Sequence, residues 1–460
     1  MTRSPGLLKV VSLIAGLAIT STATATTGYF ALGYGAKAMG VAGAVVSNPQ
    51  DTATIAVNPA AMTVVGKRVD VGLRFFSPIR EAELRTSASP APVVTFDVDD
   101  KSRRDLFLIP NIGFNIQLKD NLWFGFNNYG NGGMNSTYDR NIYDEAFAAL
   151  GGAPEGFGTG TPDTGTLGVD LAQAIYAPTL AMKVKEKHSI GVSLLIGVQR
   201  FSARGLGDFQ CFTQTAAPTC MPPPPTVLSD GLSGNNSDWS YGAGARIGWL
   251  GEVHPRVTLG ASVSSKVYMT KLDDYDELFA EDGDFDIPAN FTLGATFKAT
   301  PKLKVSFDFQ RILYEGVSSI SNAGPIFVPP PAPNAGPNPP CPSCLLGMDQ
   351  GMGFGWEDIN IYRLAAEYAH NKQWIYRAGF ALNDQPIPDD QLLFNILAPA
   401  VVEKHATVGF TFMPNAKTEW NFAYMHAFEE EVTSSQTAFG IPGRIEMYQN
   451  SVDLSYSYKF

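Results

Sequence analysis

From residue 67 to the C-terminus, apolar and polar side chains alternate with a period of two, the spacing that puts successive side chains on opposite faces of a strand. In the last segment Val452, Leu454, Tyr456, Tyr458 and Phe460 share one face, while Asp453, Ser455, Ser457 and Lys459 share the other. The first segment sets Val69, Val71, Leu73 and Phe75 against Asp70, Gly72 and Arg74. Between them the pattern predicts strands over 106–118, 122–129, 171–184, 189–202, 239–250, 256–269, 289–299, 303–314, 359–368, 374–382, 405–412 and 419–428, which makes fourteen with the two ends. Short polar turns (119–121, 185–188, 251–255, 300–302, 370–372 and 413–417) alternate strictly with long connections (79–104, 131–170, 203–238, 270–288, 315–358, 383–404 and 429–446). A soluble sandwich has no reason to sort its turns, because water bathes both of its ends. A membrane barrel with short periplasmic turns, long external loops and an even strand number does. The expected fold is therefore all-β: an antiparallel transmembrane β-barrel spanning 67–460.

The remaining features are weighed against that frame. Arg3 and Lys9, an apolar run over 10–19 and Ala23-Thr24-Ala25 have the layout of a secretory signal peptide, expected over 1–25. No later stretch has the roughly 18 apolar residues that a membrane-spanning helix needs, so any crossing is made by strands. Mean hydropathy of −0.02 decides nothing, because lipid-facing and lumen-facing residues average out in a barrel. Trp239, Trp249, Trp374, Trp420, Tyr424 and Phe428 stand near strand ends, as interfacial aromatic girdles do. Phe460, after Tyr456 and Tyr458, matches the end signature of outer-membrane barrels that the barrel assembly machinery reads. Loss of Arg3 and Lys9 from 33 basic residues leaves 31 against 44 acidic ones, a net charge near −13. That argues against a nucleic-acid partner, which needs clustered cations.

The chemistry-bearing residues point away from catalysis. His188, His254 and His370 fall in turns, His405 and His426 near strand ends, and no GxSxG is present; no enzyme, cofactor or metal is expected. Cys211 with Cys220, and Cys341 with Cys344, read as two local disulfides in an oxidising compartment. A CxxC also serves as a redox pair or half a zinc site, but here it lacks a βαβ pattern and a second close Cys/His pair. The acidic run from Asp273 to Asp286 lacks EF-hand spacing and reads as a solvated loop. Pro222–Pro225 and the proline-rich stretch 329–340 read as stiff loop segments. On the lumen-facing parity stand Arg74, Arg246, Lys304, Asp308, Arg363, Glu367 and Arg377. Buried charges of this kind pair with one another or hold a plug; alternatively Arg246, Arg363 and Arg377 bind a substrate carboxylate.

Residues 26–66 do not follow the strand rhythm. Gly33, Gly35, Gly40 and Gly43 interleave with Ala36, Ala38, Ala42 and Ala44, and Asn58-Pro59-Ala60-Ala61-Met62 follows. Small residues permit close packing, and the barrel interior is the available space. On Gly28-Tyr29-Phe30, the run from Gly33 to Ala44, the stretch from Asp51 to Met62, Arg363-Leu364-Ala365-Ala366-Glu367-Tyr368 after Asp358, Tyr376-Arg377-Ala378-Gly379 and Tyr424-Met425-His426-Ala427-Phe428, the mature chain resembles the FadL/TodX family of outer-membrane transporters of hydrophobic compounds. The resemblance implies fourteen strands, an N-terminal hatch over 26–66 carrying the Asn58-Pro59-Ala60 motif, and Tyr29 and Phe30 reaching into a ligand pocket. It also implies an inward kink in the third strand, where Asn128, Gly130, Gly132 and Gly133 are the matching residues, and lateral release of ligand there. Loop residues Phe147, Leu150 and Phe157 are candidate ligand contacts. The expected function is passive passage of fatty acids, alkanes or monoaromatic hydrocarbons by a monomer among outer-membrane lipid and lipopolysaccharide. The rival readings are a general diffusion porin and an adhesin-like surface barrel, and the 40-residue hatch argues against a porin.

Overall fold

Fourteen antiparallel strands close on themselves in the computed structural model, which describes residues 27–85, 97–149, 165–220, 226–324, 344–434 and 442–460. They are β1 (Arg68–Arg85), β2 (Phe107–Lys119), β3 (Leu122–Tyr138), β4 (Leu167–Lys185), β5 (His188–Arg204), β6 (Asp238–His254), β7 (Val257–Ser264), β8 (Asn290–Lys298), β9 (Leu303–Ile312), β10 (Ile359–Ala369), β11 (Trp374–Asn383), β12 (Lys404–Phe412), β13 (Thr418–Ser434) and β14 (Gly443–Lys459). Each pairs with its sequence neighbour, and β1 pairs with β14 from Arg68↔Lys459 to Leu84↔Gly443. Closure matters because an unpaired backbone group in hydrocarbon costs several kcal/mol. No helix among the described residues is long and apolar enough to cross a membrane.

Burial follows the alternation, turned inside out relative to a soluble protein. On β5, Ile190, Val192, Leu194 and Ile196 are exposed, whereas Ser189, Ser193 and Gln199 are buried. The outward faces of the other strands continue this apolar belt, through Val71, Leu180, Ile247, Leu293, Phe307, Leu364, Val408 and Leu454. At the short-turn end, ring pairs such as Trp374–Phe412 (4.7 Å) and Trp420–Tyr456 (4.8 Å) form part of an aromatic girdle.

The strand boundaries depart from the sequence pattern mainly at the loop end. β1 runs on to Arg85, β3 to Tyr138 and β13 to Ser434, and β14 already begins at Gly443. Above the bilayer the outward face meets water, so alternation fades while backbone pairing continues. The strand expected over 256–269 is two pieces. β7 stops at Ser264, and Tyr268–Met269 rejoins the sheet beside Gly242 and Ala243. Ser265 makes the break: its hydroxyl accepts the Ala245 amide (3.0 Å) that a continuing strand would have bonded. Another short strand, Asp97–Lys101, extends the sheet above the membrane by pairing with the end of β1.

Candidate functional site

Residues 27–65 lie inside the barrel, almost all buried. Asn58 explains the Asn-Pro-Ala motif. Its side chain accepts the Ala60 amide (3.0 Å) and caps the short helix Pro59–Thr63, whose first residue is the proline. The same amide donates to Val46 O (2.8 Å) and to Trp249 O on β6 (2.9 Å), which pins the turn to the wall. The wall is shaped to receive it. A Cβ at Gly132, Gly248 or Gly260 would overlap Tyr29 O, Asn58 Oδ1 or Val46 O respectively, and one at Gly191 would sit 2.5 Å from Ala60 N. Glycine inside a strand is used here for close backbone approach.

The buried cations at the periplasmic half of this segment meet carboxylates. Lys37 bonds Glu419, which also takes Arg68 (2.9 Å); Arg68 in turn holds Asp70 (2.8 Å). Arg74 pairs with Asp453 (2.9 Å) and donates to Gly33 O (2.6 Å). Arg377, a candidate ligand residue, bonds Glu367 (2.9 Å) and Thr411 (2.7 Å) instead. Thr52 caps the arrangement by donating to Asp70.

Arg246 and Arg363 differ. Both are buried, and among the described residues neither forms an ion pair. Arg246 donates to the Tyr129 hydroxyl (3.1 Å) and Arg363 to Gln310 Oε1 (2.7 Å), while Nε of Arg363 has no partner. With Phe30, Leu32, Tyr34, Ala56, Asn290 and Thr292 they line a cavity of about 10 Å³, room for one water-sized group.

Tyr29 is completely buried among aromatic rings: Phe30 (5.2 Å between centroids), Tyr314 (5.6 Å), Trp356 (6.1 Å) and Phe285 (6.3 Å). The Tyr314 hydroxyl fixes the turn by accepting the Tyr29 amide (3.2 Å) and donating to Thr27 O (2.7 Å). Tyr314 and Trp356 come from the connection between β9 and β10 and Phe285 from that between β7 and β8, and no local pattern in the sequence announces them.

Along the third strand the wall loses backbone pairing. The β2–β3 ladder ends at Ile112↔Asn128, where the Asn128 side chain accepts the Ile112 amide (2.9 Å). Two residues back along β2 stands Pro110, on the same side of the strand and without an N–H to offer. β3 goes on with β4 alone, and its register shifts between Gly130 and Gly132. Other groups take up the abandoned edge. Ala31 donates to Asn131 O (3.1 Å), Gly133 to Tyr29 O (3.2 Å) and Arg103 to Thr137 O (3.0 Å). Arg80, buried and without an ion pair among the described residues, donates to Asn135 O, Arg104 O and Ser102 Oγ. Behind the break lies a cavity lined by Tyr34, Gly35, Ile109, Asn111, Tyr129 and Gly130.

Above the barrel the loops knit together. Cys211 and Cys220 are bonded, with Cα atoms 5.7 Å apart. Cys344 is also disulfide-bonded, and Cys341 lies outside the described residues. A bridge between Thr213 and Leu346 joins the two cystine segments. The acidic connection is less solvated than its composition suggests, because Tyr275, Phe279 and Phe285 bury it against β5 and the lumen. Phe147 belongs to the helix Ile142–Ala149, whose first turn seats Tyr143 with its hydroxyl on Leu393 O (2.7 Å). The Phe147 side chain, Leu150, Phe157 and the signal-peptide segment 1–25 lie outside the described residues.

Residues 161–460 match the model of the family described as outer membrane protein transport protein (OMPP1/FadL/TodX). No curated protein sequence matches the chain. Among solved structures, the toluene transporter TodX of Pseudomonas putida is similar at a TM-score of 0.67 and 16% identity, over 93% of this chain and 99% of that one. A FadL homologue of Pseudomonas aeruginosa is similar at 0.63 and 16%, over 94% and 100%. The toluene transporter TbuX of Ralstonia pickettii is similar at 0.59 and 17%, over 93% and 99%. The described barrel of fourteen strands, its outward apolar belt and the family match agree: this chain is an outer-membrane protein of the OMPP1/FadL/TodX family.

Proposed function

We propose that the protein passes hydrophobic small molecules across the outer membrane without an energy source, taking them from the external loops into the lumen and releasing them sideways into the bilayer through the β2–β3 break. The break carries the reading. It lies beside a cavity lined by Tyr34 and Tyr129, whereas residues 27–65 pack inside the barrel against glycines of the wall. An apolar solute gains nothing from a water-filled pore, but gains roughly 25 cal/mol per Å² of apolar surface once it reaches hydrocarbon. Residues 26–66 act as the hatch in this reading, Tyr29 and Phe30 close the pocket, and the bend at Asn128, Gly130, Gly132 and Gly133 makes the exit.

Uptake of labelled toluene by cells that depend on this protein tests it. Gly130→Trp, which fills the break, is expected to lower the initial rate at least about tenfold, with the barrel still folded by its heat-modifiable gel migration. Sugars should fail to swell liposomes containing the wild type. Unchanged toluene uptake in the Gly130→Trp variant would sink lateral release, and free sugar entry would mean a diffusion porin.

A further inference from the structure

We infer that His426, Asn450 and Ser77 form a site on the lipid-facing wall for the hydroxylated and amide-linked acyl chains of lipid A, the membrane anchor of lipopolysaccharide. The three stand in one row across β13, β14 and β1, with Asn450 opposite His426 on one side and opposite Ser77 on the other. All three point out of the barrel, because their chain neighbours Phe76, Met425, Ala427, Gln449 and Ser451 are buried. The rows beneath are apolar or aromatic, Tyr424–Val452–Phe75 and then Phe422–Leu454–Leu73, down to the girdle at Trp420 and Tyr456. From Tyr456 up to Asn450 the wall rises about 15 Å, for strands tilted by roughly 40°. Further up, Glu431, Glu446 and Glu81 make a charged row, so water begins about 10 Å above Asn450. The polar row therefore lies in the outer half of the hydrocarbon, where a polar group without a partner is costly.

The hydrogen bonds of this row leave one side open. Asn450 Oδ1 accepts from the Tyr424 hydroxyl (2.7 Å) and lies 3.0 Å from His426 Nδ1. An amide oxygen only accepts, so the imidazole proton sits on Nδ1, and Nε2 remains as an acceptor. The amide nitrogen of Asn450 and the Ser77 hydroxyl have no hydrogen-bond partner among the described residues. Donors and an acceptor thus stand side by side against the bilayer. Hydrocarbon chains answer neither. The ester oxygens of glycerophospholipids only accept, and they stay at the level of the head groups, nearer the charged row. A chain hydroxyl or chain amide both donates and accepts, and lipid A carries these groups where its chains enter the hydrocarbon. The apolar rows from Tyr424 down to Leu73 then receive the tails. This contact is independent of the transport reading, and it fastens the β1–β14 closure to the outer leaflet.

The experiment is native mass spectrometry of the full-length protein in detergent micelles, titrated with monophosphoryl lipid A or with dimyristoylphosphatidylglycerol, two lipids alike in phosphate charge and chain length. The wild type is expected to hold lipid A about tenfold tighter, the effect of one or two net hydrogen bonds. The double variant His426→Phe/Asn450→Leu should lose about that tenfold while holding the phosphatidylglycerol as before, with its heat-modifiable gel migration unchanged. Should the double variant not fold, Asn450→Leu alone carries the same test, with a loss of about fivefold expected. Equal affinities in the wild type overturn the inference, and so does a preference for lipid A that survives in the variants. A wild type that is dimeric in lipid-free micelles, and monomeric once the row is made apolar, also overturns it, since the row would then join two copies of the chain.

Discussion

The lumen contains two regions built from the same residue types on opposite terms. Near the periplasmic end, around Lys37, Arg68, Asp70 and Glu419, each buried cation meets a carboxylate, and the N-terminal segment and the wall share the ions. Higher up, around Tyr29, Arg246 and Arg363, rings and guanidinium groups converge on the N-terminal segment, and no ion pair forms there among the described residues. The difference teaches how a plug can be both fixed and yielding. A matched ion cluster is costly to break, because separation leaves charges bare in a poor solvent. A cluster of rings holds by dispersion and area, which another apolar body supplies equally well. Under the proposed function, the first region stays and the second is exchanged.

The largest effect should come from breaking the paired region. Glu419→Gln leaves Lys37 and Arg68 short of their shared carboxylate, and a loss of about 3–5 kcal/mol is expected. It would be read as a lower unfolding temperature on heat-modifiable gels and faster proteolysis of residues 27–66. Arg363→Met should cost less than about 1 kcal/mol by the same measure, since no acid loses a partner. Equal destabilisation by the two would erase the distinction between the regions. Next is Gly132→Ala, whose Cβ overlaps Tyr29 O. It should expel Tyr29–Ala31 from the β3 edge and forfeit two hydrogen bonds, each worth about 1 kcal/mol. Amide exchange at Ala31 and Gly133 should quicken while the β1–β14 ladder stays protected; unchanged exchange at both sites would remove the edge from the account.

The smallest effect lies outside the membrane, in the acidic loop. Burial, with Asp286 and Glu281 nearby, pushes the Asp284 carboxyl up to about 6, and Lys266 opposes the shift. The folded loop holds this proton more tightly than the unfolded chain does. The loop's order is accordingly greatest below about pH 4 and weakens as pH rises towards about 6. Intrinsic-rate-corrected exchange at Leu272, whose amide bonds Gly283 O (2.9 Å), should be slower at pH 5 than at pH 7.5. The opposite order would mean that the acidic groups repel too weakly to matter.

How much of this the sequence disclosed depended on whether the physics was local. Alternation is local, so the strands from Val69 to Phe460 and the rhythm of their turns were legible. Where the outward face meets water the rule lapses, and the pattern stopped short of Arg85, Tyr138 and Gly443. Arg80 was hidden for that reason, inside what reads as a connection. Tyr314 and Trp356 were hidden because their partner, Tyr29, is 285 residues or more away. Two signals were present and went unread. Pro110 inside a strand marks an edge, and that edge is the break. Glycines at 132, 191, 248 and 260 mark places where another chain segment lies close, and that segment is the N-terminal one.

The fit of those glycines has a consequence for how the molecule is made. Clearance between segment and wall is smaller than one methyl group at several heights around the lumen, so the segment cannot be threaded into a finished cylinder. The strands have to gather around it, as staves around a mandrel, and the seam between first strand and last is the final joint. A mutation that swells the segment should therefore show first as slow assembly, before any defect in passage.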